Sequence, residues 1–257
     1  MSVSAIVITK NEERMLSACL KTLQWADEVI VIDTGSTDET IRIAKKHKAK
    51  VFNYKGSGSS FSDWRNYAAR KANSEWLLYV DADERIENNL KQEVLAKLDL
   101  VDSIYTYYAI PRKNVVLGRE LRYGGWYPDY VKRLLRKDVL VTWQGQLHEN
   151  PVMDGTMGYL ENSLVHIKHE TITEMIEKTN KWSEIEGKLM YESGHPPMNV
   201  MRFLTAMGRE FWNRMIVHKA FLDGSIGIIF AMYQVFSRFV SYAKLWEMQV
   251  THESSNS

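Results

Sequence analysis

Cysteine is nearly missing from this chain. Cys19 is the only one in 257 residues, so neither an intrachain disulfide nor a cysteine-built metal cage can form. It falls in the apolar spacing Met15, Leu16, Cys19, Leu20, Leu23 and is expected as a core thiol. A dominant charge is missing too: the net charge is +1, which gives no support for a global nucleic-acid binder. The start, Met1-Ser2-Val3-Ser4, lacks the basic residues and long apolar stretch of a secretory signal. No segment offers eighteen continuous apolar residues, so no transmembrane helix is expected. Together these absences lead to the expectation of a protein made and kept on the cytoplasmic side. With 45% hydrophobic and 25% charged residues, disordered and fibrous classes drop out, and the length fits one large domain or a domain with an appendage. Aromatics are plentiful instead. Eight Trp and thirteen Tyr suit sugar-stacking surfaces, membrane interfaces and large cores.

The most informative segment is Asp81-Ala82-Asp83-Glu84, directly after the apolar run Trp76-Leu77-Leu78-Tyr79-Val80. Such a run reads as a buried strand of a mostly parallel sheet, which puts the carboxylates at its C-terminal end, where open α/β sheets hold their ligands. Two carboxylates spaced by one residue suit a divalent cation that also binds phosphate oxygens. Around this segment, strand and helix signals alternate. Strands are expected at Val3 to Ile8, Val29 to Ile32 (ending at Asp33) and Val51 to Tyr54, with helices from about Glu12 to Gln24 and after Ser36. Ser36 to Glu39 has the spacing of a capping box. A Gly/Ser loop, Gly56 to Ser60, leads into a helix carrying Trp64, Tyr67, Ala68 and Ala72. Alternation of this kind makes a doubly wound sheet with right-handed crossovers.

After a helix near Leu90 to Leu98, the pattern turns to antiparallel or mixed strands at Ile104 to Ile110, Val131 to Leu135 and Val139 to Trp143, and from about Thr173 it is helical. Residues 1–170 are expected as the catalytic domain, 171–250 as a helical region and 251–257 as a disordered tail. Between Arg202 and Lys244 stand six Lys/Arg, against Glu210 and Asp223, interleaved with aromatics from Phe203 to Trp246. That pattern suits a membrane interface, or equally a helix packed on the main domain or on a second subunit.

Three segments in order, Val3-Ser4-Ala5-Ile6-Val7-Ile8-Thr9-Lys10-Asn11-Glu12-Glu13, Val31-Ile32-Asp33-Thr34-Gly35-Ser36-Thr37-Asp38 and Asp81-Ala82-Asp83-Glu84, resemble family 2 glycosyltransferases. A narrower likeness is to WaaE-like enzymes that add sugar to the lipopolysaccharide inner core. It is carried by Phe61-Ser62-Asp63-Trp64-Arg65-Asn66, Gln146-Leu147-His148-Glu149 and the pattern Phe221-Leu222-Asp223-Gly224 to Tyr242-Ala243-Lys244-Leu245-Trp246-Glu247. The resemblance implies an α/β GT-A nucleotide-sugar-binding fold: a mostly parallel mixed sheet flanked by helices, with a C-terminal helical extension. It implies an inverting, metal-dependent transfer of a hexose, UDP-glucose by default, to a saccharide-lipid acceptor at the inner membrane surface. The expected localisation is cytoplasmic and peripheral on that membrane, and a homo-oligomer through the C-terminal helices is the other use for them.

The resemblance also distributes roles. Asp33 is expected on the nucleobase or ribose, although Thr34 stands where the family carries a second acid. Thr9 and Glu12 line the nucleoside side, and Arg65 pairs with diphosphate oxygens. Asp83 ligates Mg²⁺ or Mn²⁺, Asp81 contacts ribose or a metal-bound water, and a histidine after the core, His166 or His169, supplies a further ligand. Glu149 is the base that deprotonates the acceptor hydroxyl, oriented by His148, with Asp129 the alternative base. Trp126 and Tyr127, beside Gly124-Gly125, form an acceptor platform. Rival readings are a phosphohydrolase with an Asp-x-Asp nucleophile, which usually carries that pair on the first strand, a non-catalytic sugar-binding module, and a protein-directed transferase of the same fold.

Overall fold

The computed structural model describes residues 1–56, 60–100, 103–145 and 149–255, the last four of these without their side chains. The chain divides into two compact units. The first comprises Met1–Lys113 and Asp129–His166, the second Asn114–Pro128 and Ile167–Ser257.

The first unit opens with the expected alternation: β1 (Val3–Thr9), α1 (Leu16–Thr22), β2 (Glu28–Asp33), α2 (Thr40–Lys46), β3 (Lys50–Asn53), α3 (Phe61–Lys71) and β4 (Trp76–Tyr79). The short β5 (Glu84–Arg85) and α4 (Asn88–Leu98) follow, and β6 (Tyr105–Val116) runs on into the second unit. There β7 (Arg119–Leu121) returns antiparallel along Asn114–Val116. The chain re-enters the first unit as β8 (Asp129–Arg136), β9 (Leu140–Gln144), β10 (Asn150–Met153), β11 (Thr156–Tyr159) and β12 (Leu164–His169). The sheet runs β3-β2-β1-β4-β8-β6-β12-β5, with β11 parallel to β6, while β9 and β10 form a separate hairpin. Strands β1 to β4 are mutually parallel and β8 is antiparallel to β4 and β6, so the sheet is mixed and the expected α/β class is the one found.

Side-chain alternation builds the core. On β1, Val3, Ala5 and Val7 face one apolar layer with α1 and α4, and Ile6 faces the other with Ala68 of α3 and Ala72 just after it. On β4, Trp76 and Leu78 join the first layer, Leu77 and Tyr79 the second. Period-two placement lets every strand residue be apolar when both faces are covered. Cys19 is wholly buried in the first layer, as expected, and burial pushes its thiol pKa up.

Two helix starts differ from the sequence reading. Residues 12–15 form a turn in which the Glu12 carbonyl accepts from the Met15 and Leu16 amides, so α1 begins at Leu16. The capping box expected at Ser36 is absent because its groups are engaged elsewhere. Asp33 takes the Gly35 and Ser36 amides, the Asn11 side chain takes the Thr37 amide, and Asp38 takes that of Thr40. Helix α2 therefore begins at Thr40. A capping box does occur at Ser60, whose hydroxyl accepts from the Asp63 amide while Asp63 accepts from the Ser60 amide.

The second unit carries three long helices, α5 (Ile172–Glu192), α6 (Val200–Phe211) and α7 (Gly224–Ser255), with a π-helical turn at Trp212–Val217 and a 3₁₀ turn at Ala220–Asp223. Helix α7 packs along α5 through Phe230, Ser241 and Leu245, and Tyr233 donates to the Met175 carbonyl at 2.7 Å. Gly187 on α5 makes this approach close. A Cβ there would lie 3.3 Å from the Lys244 Cβ and 3.4 Å from the Leu245 amide nitrogen. By length and composition the helical stretch Ala220–Thr251 is able to cross a membrane, its most apolar window having a mean hydropathy of 1.4. The sequence expectation asked instead for an uninterrupted eighteen-residue apolar run, which Gln234, Ser237, Arg238 and Ser241 break. The helix extends to Ser255, through most of the stretch expected as a disordered tail.

Candidate active site

The site grows from the end of β4. The chain turns there, with the Glu84 amide donating to the Asp81 carbonyl and the Asp81 amide donating to the Glu84 carboxylate, both at 2.9 Å. This reciprocal pair sets β5 against β12, where Glu84 is registered opposite His166. The register brings His166 Nε2 within 3.5 Å of Asp83 Oδ2. His169 lies in the second unit, in ring contact with Phe230 and Tyr233.

Arginines occupy the other side of the turn. Ser62, Arg65 and Ala68 form the buried face of α3, and Arg65 is 1% exposed. Its guanidinium lies over the rings of Trp143 (4.8 Å) and Tyr79 (5.3 Å). Its Nη2 reaches Asp81 Oδ1 at 3.1 Å and Glu149 Oε1 at 3.0 Å, and its Nε donates to the same Glu149 oxygen at 3.2 Å. Asn66, the next residue, holds the β9 backbone by donating to the Trp143 carbonyl (2.9 Å) and accepting from its amide (2.8 Å). Helix α3 thus fixes both Glu149 and the strand leading towards it. Arg133 on β8, 5% exposed, bridges the second Asp81 oxygen and Glu84, the latter at 3.2 Å. Arg112 reaches Glu84 at 3.6 Å and grips Asp129 through Nε and Nη2 at 3.0 and 2.7 Å.

Burial alone would raise the Asp81 carboxyl pKa, but the charges of Arg133 and Arg65 outweigh it and hold the group below the usual carboxylate range. Burial likewise depresses Arg133, and Asp81 and Glu84 reverse that and hold it above its ordinary value. Five carboxylates (Asp81, Asp83, Glu84, Asp129, Glu149) therefore gather with four guanidiniums, those of Arg65, Arg112 and Arg133 and that of Arg85, which donates to the Ala82 and Glu84 carbonyls, leaving one acidic charge in excess for a divalent cation. Asp83 and His166 offer one hard oxygen and one imidazole to such an ion. No group of three or more His, Cys, Asp or Glu is placed to hold a metal among the described residues. Mg²⁺ or Mn²⁺ here would have to complete its sphere from water and substrate oxygens, as metals bound together with phosphates do.

The residues expected on the nucleoside side lie at or just after the C-terminal ends of β1 and β2. Asp33 is 3% exposed, its carboxylate accepting from the amides of Gly35 (3.0 Å) and Ser36 (3.1 Å). The Thr9 carbonyl accepts from the Thr34 amide and hydroxyl, and the Glu12 amide donates to Thr40 Oγ1 at 2.8 Å. Trp126 belongs to the second unit, under the Arg214 guanidinium at 4.6 Å and the Lys168 ammonium at 5.1 Å, beside Phe230. Gly124 and Gly125, at φ +69° and +80°, allow the backbone close to these partners, since a Cβ on Gly125 would lie 3.1 Å from Arg214 Nη1. Tyr127 is exposed. His148 lies outside the described residues, as do Gln146 and Leu147.

Arg133, Arg112, Glu84 and Asn66 carried no role in the sequence reading. Arg133 had a visible signal, a charged residue set directly before Leu134-Leu135 in an apolar strand, which needs a buried partner.

The description of glycosyl transferase family 2 matches residues 4–152, more than half of the chain. The chain therefore belongs to glycosyl transferase family 2, and it is an enzyme of that class. It is 27% identical over 266 residues to an uncharacterised glycosyltransferase of Rickettsia bellii, covering 96% of this chain and 87% of that one. It is 26% identical over 210 residues to the lipopolysaccharide core biosynthesis glycosyltransferase LpsC of Rhizobium meliloti, covering 77% and 74%. Among solved structures it is similar to S. aureus TarS 1–349 (17% identity, TM-score 0.48, 99% of this chain and 92% of that one). It is also similar to glucosyl-3-phosphoglycerate synthase of Mycobacterium tuberculosis, solved with Mn²⁺, UDP and glucosyl-3-phosphoglycerate (16%, TM-score 0.43, 54% and 58%).

Proposed function

We propose that this enzyme transfers a hexose, with inversion, from a nucleotide diphosphate sugar to a saccharide-lipid acceptor of lipopolysaccharide or surface-polysaccharide assembly. UDP-glucose is the default donor, and the reaction takes place at the inner face of the cytoplasmic membrane. The observation that carries the chemistry is Glu149, 17% exposed at its side chain, held by the buried Arg65 that also holds Asp81 beside the Asp83–His166 pair. The likeness to LpsC supports the acceptor class.

In this reading Glu149 accepts the proton of the acceptor hydroxyl as that oxygen attacks the anomeric carbon. The new glycosidic bond forms on the face opposite the leaving diphosphate, and the bond from the anomeric carbon to phosphate oxygen breaks with its electrons on the diphosphate. Asp83 and His166 would hold Mg²⁺ or Mn²⁺, which supplies positive charge to the leaving group when bound. Asp33, Thr9 and Glu12 bound the nucleoside side. Arg65 works here as the clamp on Glu149 and Asp81, a different task from the diphosphate contact expected of it. Asp129, gripped twice by Arg112, is the alternative base.

The test is a panel of nucleotide sugars with Mn²⁺, read first by thermal shift and then by transfer to a lipid-linked saccharide. The donor is the one that stabilises the protein. With it, Glu149→Gln should lower kcat by about 10²–10⁴-fold, the usual contribution of a positioned base, while nucleotide stabilisation stays as in the wild type. Undiminished transfer by Glu149→Gln, with Asp129→Asn inactive, would move the base to Asp129.

A further inference from the structure

Helix α6, the segment before it and the middle of α7 border an open cleft of about 440 Å³ within the second unit, far along the chain from the residues assigned to chemistry. Arg202, Thr205 and Arg209 line one wall, spaced so that they share a single face of α6, and His195 and Tyr242 line the other. No carboxylate lines it among the described residues. Neither guanidinium makes an ion pair among the described residues, although Glu210 follows Arg209 directly, because Glu210 is held by Arg214 at 2.9 Å. Arg238, one turn before Tyr242 on α7, is exposed and also makes no ion pair among the described residues. The cleft is therefore basic and uncompensated, a setting that favours an anion presenting several oxygens to forked donors.

Its rim is apolar. On the α7 side, Phe239 and Trp246, one turn to either side of Tyr242, are 48% and 49% exposed. The α7 face continues through Ile228, Met232 and Phe236 in steps of three and four residues. A soluble anion has no use for this apolar border. A second copy of the chain, docked about a two-fold axis through the same patch, would set arginines against arginines. An anionic lipid satisfies both parts, with its phosphate on the arginines and its acyl chains along the helices.

We propose that this cleft is a headgroup site for an anionic glycerophospholipid, through which the enzyme seats itself on the bilayer. The proposal rests on the reading that the acceptor is lipid-linked, and it adds the residues that make the contact. The phosphate sits between Arg202 and Arg209, the Tyr242 hydroxyl donates to it, and Phe239 and Trp246 enter the headgroup boundary.

The experiment is flotation of the full-length protein with vesicles of phosphatidylcholine alone and of phosphatidylcholine mixed with phosphatidylglycerol. Wild type should favour the anionic vesicles. The double variant Arg202→Gln/Arg209→Gln should bind them about 30-fold more weakly, from about fivefold per basic residue near an anionic surface, with its binding to neutral vesicles unchanged. Both arginines are exposed, so melting temperature and nucleotide stabilisation should match the wild type and report intact folding and catalytic unit. Phe239→Ser/Trp246→Ser should lose binding to both vesicle types. Wild-type affinity of the arginine variant for anionic vesicles would overturn the site while leaving the membrane reading in place. Failure of the wild type to float with either vesicle would overturn both. Stabilisation by inorganic phosphate that disappears in the arginine variant, without vesicle binding, would make the cleft a soluble-anion site. Sedimentation as a dimer that Phe239→Ser/Trp246→Ser dissociates would assign the face to a second copy.

Discussion

Arg65 decides how the residues of the candidate site work together. Its planar fork lies between two aromatic rings and two carboxylates, an arrangement that a lysine ammonium cannot reproduce. Arg65→Lys keeps the charge and the ion pairs in part, so the protein should fold. The loss of fixed orientation at Glu149 should then lower kcat by about 10²-fold, the scale of a small misplacement of a reacting group, while the donor KM moves little. A matched rise in KM with kcat unchanged would return Arg65 to the donor. Glu28 gives a separate residue-scale test, away from the site. It accepts from Ser4, the Asn73 amide and Lys50, and although burial raises its pKa, these bonds lower it from 4.5 to about 2. A carboxylate depressed in the folded state stabilises above its unfolded pKa, and that stability is lost as pH falls from about 4.5 to about 2. Glu28→Gln should therefore cost about 1–2 kcal/mol at pH 7, less than the full shift because Lys50 is solvent-screened, and the difference from wild type should vanish below about pH 2 in urea unfolding.

Elements were legible where pattern and burial agree. Three of the four parallel strands, β1, β2 and β4, follow from apolar runs that both faces of the sheet bury, while β3 at the sheet's edge is only partly covered, and the strand leading to Asp81-Ala82-Asp83-Glu84 stands where its sequence places it. Helix starts were less legible, because Ser36 and Ser60 both offer a hydroxyl three residues before an acid. What separates them is mostly long-range: Glu13 takes the Glu39 amide that the Ser36 hydroxyl would cap, the Asn11 amide occupies that hydroxyl, and Asp33 takes the Ser36 amide, whereas among the described residues the Ser60 and Asp63 amides are taken by each other's side chains. Arg133 and Arg112 escaped assignment for a similar reason, since their partners arrive from β4 and β5 and local spacing does not encode that meeting. Contact between α5 and α7 was equally invisible, although Gly187 marks it. Gly187→Val would drive a branched side chain into the Leu245 backbone, and backbone cannot give way as a flexible side chain can. The variant should lose about 1–3 kcal/mol, the usual scale of overpacking, seen as a lower urea midpoint. Gly187→Ala, adding a single methyl, should lose less, and equal stability of the valine variant and wild type would show that the helices are free to separate.

At the scale of the whole molecule, a net charge of +1 conceals segregation: acidic excess gathers at the end of β4 while unpaired arginines line the α6 and α7 cleft. The metal proposal depends on the first of these fields and on how few protein ligands it contains. Structural metal sites with three or four protein ligands tie folding to the ion. Asp83 and His166 are two, and the packed layers around β1 and β4 need neither. EDTA should therefore leave the melting temperature of the full chain within about 2 °C of its value with Mn²⁺ alone. Adding UDP should change this, because its diphosphate oxygens complete the coordination, so Mn²⁺ and UDP together should stabilise by more than the sum of their separate effects. Linkage makes that coupling reciprocal, and UDP should tighten Mn²⁺ by the same factor as Mn²⁺ tightens UDP. Asp83→Ala removes the coupling, because Asp83 supplies the oxygen of the proposed Asp83–His166 pair. Asp81→Ala, two residues earlier, strips two buried guanidiniums of a partner and should cost about 3–5 kcal/mol. Calorimetric titration of each ligand with and without the other measures the coupling. Equal affinities in both orders would remove the shared metal–diphosphate site, and strong stabilisation by Mn²⁺ alone would require protein ligands beyond Asp83 and His166.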